Sequence, residues 1–245
     1  MENLIEYAPL LLRGAVTTLS LALAALVMAT LLGGLGAMGK ISGGPITRAI
    51  VFAYTTIVRG VPDLVLILLI YFGGQRLINI VLQNEFGINI FDYYIVLKPA
   101  WEGYVELSKF WAGVGAIGFI YGAYLTETFR GAYMTVPAGQ REAAMSMGMR
   151  PLQVLRAVTM PQLVRFALPG YANVWQVLIK STAVVSVIGL EDLVGLANDA
   201  GKSVREPFLF FSAVFFAYLF FTWVSQSIFN AAERRYALKE HGDAV

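Results

Sequence analysis

Apolar residues gather in five stretches of this chain, roughly 14–39, 49–75, 112–134, 169–190 and 208–232, separated by polar or charged segments. Each is long enough to supply the roughly 20 mostly apolar residues that a membrane-spanning helix needs. Residues 14–39 hold no Asp, Glu, Lys or Arg. The pattern predicts an all-α polytopic membrane protein with five transmembrane helices.

The polar segments orient them. The segment after the first stretch carries Lys40 and Arg48 and no acid, and residues 135–168 carry Arg141, Arg150, Arg156 and Arg165 against Glu142. The tail opens Glu233-Arg234-Arg235, whereas residues 76–110 hold Glu85, Asp92, Glu102 and Glu106 against Arg76, Lys98 and Lys109. Basic loops stay in the cytoplasm, so the N-terminus is expected outside and the C-terminus inside, consistent with an odd number of spans. Residues 1–13 read as a short interfacial helix or a loosely held end. A cleaved signal peptide is the alternative for the first stretch. Such a peptide has an apolar core of about 7–15 residues behind a basic flank, and here Glu2 and Glu6 precede a longer run; a retained helix is expected.

Composition narrows the function. Hydrophobic residues make up 58% of the 245 and charged residues only 14%, against about a quarter in soluble domains. A net charge of +2 gives no reason to expect nucleic acid. Cysteine is absent and His241 is the single histidine, in a polar tail. Thiolate metal sites, disulfides and His-based nucleophilic catalysis are excluded on that count. No Gly/Ser-rich linker, second domain or internal repeat is visible, and inverted-repeat secondary transporters usually show one.

Glu142-Ala143-Ala144, three residues, Gly148, nine residues, then Val158-Thr159-Met160-Pro161 forms a charged, helix-breaking cassette between apolar stretches. The spacing resembles the EAA loop of ABC importer permeases, E-A-A, three residues, G, nine residues, I-x-L-P, with Val158 and Met160 as conservative replacements. The resemblance covers about residues 14–236. It implies the type I ABC importer permease fold in the bacterial inner (plasma) membrane, with a transmembrane domain over 14–236 and a cytoplasmic coupling loop at 137–168. It implies no ATP site in this chain; ATP and Mg belong to a separate ATPase, so this subunit is no enzyme. The partners implied are a dimer of ATP-binding subunits, a second permease (sister chain or second copy), a periplasmic amino-acid-binding protein and the lipid bilayer. Glu142, Ala143, Ala144, Gly148 and Pro161 are the candidate coupling residues, folded as two short helices bent at Gly148.

The second stretch contains Arg59-Gly60-Val61-Pro62-Asp63. Pro62 lacks an amide donor and kinks or breaks a helix. Arg59 lies about ten residues, or about 15 Å, from the cytoplasmic end. A charge at mid-span costs about 2.5–3.5 kcal/mol on insertion scales and so faces a cavity or a partner. An Arg59–Asp63 pair at i,i+4 is one reading and a pathway role the other. The run to Tyr71-Phe72-Gly73 resembles the polar amino-acid branch of these permeases, most of which read R-G-T-P and then an apolar residue. Asp63 departs from that and is similar to the histidine/lysine/arginine/ornithine permease type, which suits a cationic substrate.

Downstream, Tyr121 to Gly131 holds Glu127 and Arg130 on one helix face, either a structural bridge or substrate contacts. It resembles the branch's A-E-x-x-R-G. Asn173, Gln176 and Lys180 share a face at i, i+3, i+7, extended by Ser181 and Thr182; such a stripe lines water or bonds a neighbouring helix. Lys180-Ser181-Thr182 through Asp192 resembles the K-D-T-S-L…E-L run, with Ser181 where many members have Asp. The candidate pathway residues are thus Arg59, Asp63, Glu127, Arg130, Asn173, Lys180, Ser181, Thr182 and Asp192. Arg59, Arg130 or Lys180 would take an α-carboxylate, and Asp63, Glu127 or Asp192 a cationic side chain or the α-amino group. A plain polar channel fed by an external receptor is the alternative.

Two patterns are decoys. Gly195 to Gly201-Lys202-Ser203 has five intervening residues where a P-loop needs four. Gly34-x-Gly36-x-x-Gly39 and Gly113-x-Gly115-x-x-Gly118 lie outside any βαβ context; glycines such as Gly118 and Gly122 serve close helix packing. The expected function is an ATP-driven, binding-protein-dependent importer permease for basic or polar L-amino acids working by alternating access. A stand-alone secondary transporter and a membrane-embedded enzyme are the competing classes.

Overall fold

The computed structural model describes the backbone of residues 2–84, 86–90, 93–98 and 101–236, with side chains for 3–84 and 101–236. In chain order the helices are α1 (Glu2–Glu6), α2 (Ala8–Ser42), α3 (Pro45–Gly60), α4 (Asp63–Gln83), α5 (Lys109–Thr135), α6 (Ala138–Ser146), α7 (Pro151–Ile188), α8 (Leu193–Ser203) and α9 (Pro207–Tyr236). Among the described residues, α2, α4, α7 and α9 are long and apolar enough to cross a membrane. The decoy glycine patterns all lie inside helices.

The predicted stretches map onto this order with instructive shifts. The first long helix, α2, begins at Ala8, with Pro9 near its start, where the missing amide donor is harmless. The expected single span at 49–75 is two helices, because α3 stops at Gly60 and α4 carries the apolar run onward to Gln83. The helix α4 includes a π turn at Leu69–Gly73, and α7 another at Leu155–Thr159, just before Pro161 withdraws a donor from the ladder. Residues 193–203, between the last two predicted stretches, form α8, whose Leu193, Leu196, Ala197 and Ala200 bury one face. Leu193, Ala197 and Ala200 meet Phe210 and Val214 of α9 and the start of α2.

One segment adds a short ribbon to the helical architecture. Phe86–Ile90 (β1) pairs antiparallel with Tyr93–Lys98 (β2), Ile88 opposite Ile95 and Ile90 opposite Tyr93. The stretch is rich in the β-branched and aromatic residues that fit a pleated ribbon.

The core is α5 laid against α2. The central helix α5 buries Ile117, Ile120, Tyr121 and Leu125 against Leu21, Ala25 and Ala29 of α2. Small residues permit the approach, as they do wherever membrane helices pack without a hydrophobic driving force. A Cβ on Gly122 would sit 2.9 Å from Leu32 Cβ and from the Tyr54 hydroxyl, and one on Gly118 2.8 Å from Met28. The helix α7 closes the other side of α5 with Trp175, Leu178 and Ile179.

Candidate functional site

The break in the second stretch organises the polar groups. Val61 (φ −112°, ψ 141°) and Pro62 (φ −57°, ψ 136°) are extended, so α3 and α4 do not join. The proline ring removes a donor and also pushes the residue before it out of the helical region. Arg59 and Asp63 therefore leave the i,i+4 relation of a continuous helix, and the expected pair does not form: neither takes part in an ion pair among the described residues. The Arg59 guanidinium instead lies over the ring of Tyr124, 5.3 Å from its centre, a favourable cation–π placement. Asp63 turns to the bundle. Its Oδ2 accepts a 2.7 Å hydrogen bond from the Tyr121 hydroxyl and a longer one, 3.4 Å, from Ser181. The two hydroxyls also contact each other. Three helices, α4, α5 and α7, thus each give one group to this cluster.

Below it, on the side of the basic loops, lies a cavity of about 860 Å³. Lys40, Arg48, Phe52, Thr55, Arg59, Tyr124, Glu127 and Arg130 line it. Glu127 is the hub: Lys40 Nζ donates to one carboxylate oxygen and Arg130 Nε to the other at 2.9 Å. Lys40 donates as well to the Thr55 hydroxyl at 2.7 Å. The expected Glu127–Arg130 bridge is therefore present, with Lys40 as a third member. Four cations face one carboxylate in this lining, so the cavity favours an anionic group. The helix α3 is its wall. Arg48, Phe52, Thr55 and Arg59 face the cavity, while Ile50, Val51, Ile57 and Val58 face an apolar groove on the other side.

Other candidates stand apart. Asn173 and Lys180 are exposed along α7, and Gln176 turns toward Thr222 and Gln226 of α9. Thr182 is buried, its hydroxyl donating to the Ile179 carbonyl at 2.7 Å and touching Tyr218. Asp192 is fully buried outside the long helices as the N-cap of α8, accepting from the Gly195 amide at 2.9 Å and the Val194 amide at 3.4 Å. Its burial raises its carboxyl above the usual range, against the lowering effect of those amide bonds. A cap of this kind satisfies donors that a helix start leaves open. Lys40 and Tyr121 are among the functional-site members that sequence reasoning passed over, with Thr55 and Tyr124. Lys40 read as a loop charge, and Tyr121 gave no signal beyond its place in an apolar run.

The cassette is folded. The helix α6 ends in a left-handed Gly148 (φ +85°), with the Gly148 amide bonded to the Met145 carbonyl at 2.9 Å and the Met149 amide to Ala144 at 3.2 Å. Such a glycine closes a helix where an L-residue would be strained. The second arm starts at Pro151, the Arg150 amide donating to the Gln153 side chain at 2.8 Å. Gln162 bridges back to Gln140 at 2.6 Å, tying the two arms. Ala144 faces inward, while Glu142, Ala143, Gly148 and Pro161 are exposed. Met145, Met147, Leu152 and Leu155 are exposed apolar residues on the same element, Met147 at 83%.

Comparison with known proteins fits this geometry. The family model of the binding-protein-dependent transport system inner membrane component matches residues 29–238. The histidine/lysine/arginine/ornithine transport system permease protein HisQ of Escherichia coli K12 is 44% identical over 232 residues, 95% of either chain. The nopaline transport system permease protein NocQ of Agrobacterium fabrum is 39% identical, covering 91% of this chain and 89% of that one. Among solved structures, an amino acid ABC transporter with histidines superposes with a TM-score of 0.75 at 29% identity, over 95% of this chain and 96% of its own. The chain belongs to the binding-protein-dependent transport system inner membrane components: it is a multi-pass bacterial inner-membrane permease of an ABC amino-acid importer, a transport subunit and not itself an enzyme.

Proposed function

We propose that this permease moves basic L-amino acids, histidine, arginine, lysine and ornithine among them, inward by alternating access. The observation that carries the substrate reading is Asp63. It is a carboxylate at a helix break, held by two hydroxyls, with no cation beside it among the described residues. A charge in a membrane bundle needs a partner, and a cationic side chain supplies one. Arg59, on the cavity wall, is the matching receptor for the α-carboxylate. The names of the relatives, which include a permease for histidine, lysine, arginine and ornithine, point the same way. In this reading Glu127 and Arg130 shape the inner cavity, Asn173 and Lys180 face a second permease across the pathway, and Ser181 and Thr182 anchor the end of α7. Asp192 serves as a cap.

The chain crosses the membrane five times, as α2, the broken α3–α4 unit, α5, α7 and α9. Its N-terminus is outside and its C-terminus inside, and 14–236 forms the transmembrane domain. The coupling loop, 137–168, seats Glu142, Ala143, Ala144 and Gly148 in a cleft of an ATP-binding subunit, where ATP and Mg reside. Its exposed Met145, Met147, Leu152 and Leu155 are buried there. Pro161 sets the transition into the span. The helix α7 runs from that loop to Ser181, about 45 Å at 1.5 Å per residue. A displacement of the loop by closing ATPases therefore reaches the Asp63 cluster through one continuous helix. A second permease, identical or a sister, completes the pathway, and a periplasmic binding protein delivers the substrate.

Purifying the chain from its membrane in a mild detergent tests this. A stoichiometric ATP-binding subunit, with ATPase stimulated by a receptor loaded with a basic amino acid, is the expected result. A chain that purifies alone and moves amino acid in vesicles without nucleotide would favour a secondary transporter.

A further inference from the structure

Arg59 and Asp63 do not pair, yet they are linked. The Arg59 guanidinium rests on Tyr124, 5.3 Å from its ring centre. The Tyr124 ring stacks on that of Tyr121, with centres 5.6 Å apart and planes 27° apart. The Tyr121 hydroxyl then donates to Asp63 Oδ2 at 2.7 Å. A carboxylate and a guanidinium four residues apart in sequence are therefore linked through two stacked rings. Tyr121 is only 2% exposed, and its ring packs within the α2–α5 core. Ser181 holds its hydroxyl from the third side. Asp63 Oδ1 accepts no hydrogen bond among the described residues. The break at Val61–Pro62 matters here, because it releases the two charges from the single helix face on which they would neutralise each other.

We infer that the stacked pair Tyr121–Tyr124 is a spacer that fixes the separation of two charge receptors, Arg59 and Asp63, and so selects amino acids by the length of their cationic side chain. The inference rests on the assignment of Arg59 to the α-carboxylate and Asp63 to the side-chain cation. An arginine or lysine, with charge at both ends of an extended chain, reaches both receptors at once. A short diamino acid reaches one receptor and leaves the other unpaired, and a site built to bond two groups discriminates against a ligand that supplies only one. Stacked aromatic rings suit this task, because they are rigid and sit in preferred offset geometry. Tyr121 and Tyr124 act as positioning residues through Arg59 and Asp63.

The test uses the assembled permease–ATPase complex, without receptor or nucleotide, in equilibrium dialysis with labelled arginine. The competitors are lysine, ornithine, 2,4-diaminobutyrate and 2,3-diaminopropionate. Competition by the native complex should weaken by roughly tenfold or more from lysine to 2,3-diaminopropionate, the loss expected of one charge-assisted hydrogen bond. Tyr124→Leu should flatten that profile, and Tyr124→Phe, which keeps the ring, should restore it. Tyr121→Phe, which keeps shape but frees Asp63, should weaken the long ligands more than the short ones. A steep profile unchanged in Tyr124→Leu and Tyr121→Phe, while Arg59→Gln and Asp63→Asn do weaken arginine binding, would overturn the spacer and leave the receptor assignment standing. Arginine binding unaffected by Arg59→Gln and Asp63→Asn would overturn both.

Discussion

Replacing Gly148 isolates backbone geometry from every other property of the proposed coupling loop. Its φ of +85° lies in the left-handed region, and a Cβ added there would meet nothing within 4 Å. Steric contact therefore contributes nothing, and the cost is conformational. For an L-residue that cost is about 1–2 kcal/mol, which lowers the population of the correctly bent loop by a factor of roughly 5–30. The competing conformers extend α6 or release the Gly148–Met145 and Met149–Ala144 bonds. They carry the exposed methionines away from the position proposed to meet the ATPase. Asn tolerates this region better than other residues and β-branched residues tolerate it least. Receptor-stimulated ATPase and uptake in proteoliposomes should fall in the order Gly, Asn, Ala, Val, with membrane insertion and the amount of extracted permease unchanged. Full coupled uptake by Gly148→Val would refute the reasoning. So would a loss in Gly148→Asn as severe as that in Gly148→Val, which would mean that absence of a side chain, not φ, is what matters.

Other outcomes follow from the same structure. Glu127→Gln leaves Lys40, with a side chain only 12% exposed, beside Arg130 without a carboxylate; the triad is half-buried on the cavity wall, so the cost falls below the about 3–5 kcal/mol of a fully buried pair. The thermal midpoint of the detergent-solubilised complex should drop, and Lys40→Met in the same chain should recover part of it. Gly122→Leu drives a side chain into Leu32 and Tyr54 across the α2–α5 contact, so extractable, monodisperse permease should be lost, with Gly122→Ala intermediate. Asp192→Ala removes the α8 cap and should destabilise the fold by about 1 kcal/mol, whereas Asp192→Asn keeps the cap. Because burial raises the Asp192 carboxyl in the folded chain, its contribution is present below the unfolded carboxylate value and is lost as pH rises through the folded one. Melting followed from acid toward neutral pH should therefore decline less steeply in Asp192→Asn.

The sequence carried the long helices because lipid demands continuous apolar runs, and those runs are legible without partners. Gly148 and Pro62 were legible for a related reason. Each punctuates the backbone through its own covalent structure, so the bend and the break appeared where glycine and proline stand. The small-residue contact at Gly118 and Gly122 was readable from spacing alone. What escaped was contact between distant segments. Lys40 and Glu127 are 87 residues apart, and nothing local marks Lys40 as more than a loop cation. Tyr121 acts through a hydroxyl aimed at another helix, which an apolar pattern cannot report. Asp192 misled in the opposite direction: a carboxylate ahead of Leu193 and Val194 is a cap signature, but among charges near a span it read as a pathway group. The helix α8 was missed because a short amphipathic helix looks like mixed polar sequence next to membrane runs, and the β1–β2 ribbon because its two short apolar strands lack the length that marks a span.

The most direct test of the account is uptake of labelled arginine by proteoliposomes holding the full complex, with ATP trapped inside and the loaded receptor outside. Accumulation above the outer concentration, dependent on ATP and reduced roughly tenfold or more by Asp63→Asn, is the predicted result. Equilibration that ignores ATP, or accumulation indifferent to Asp63, would contradict it.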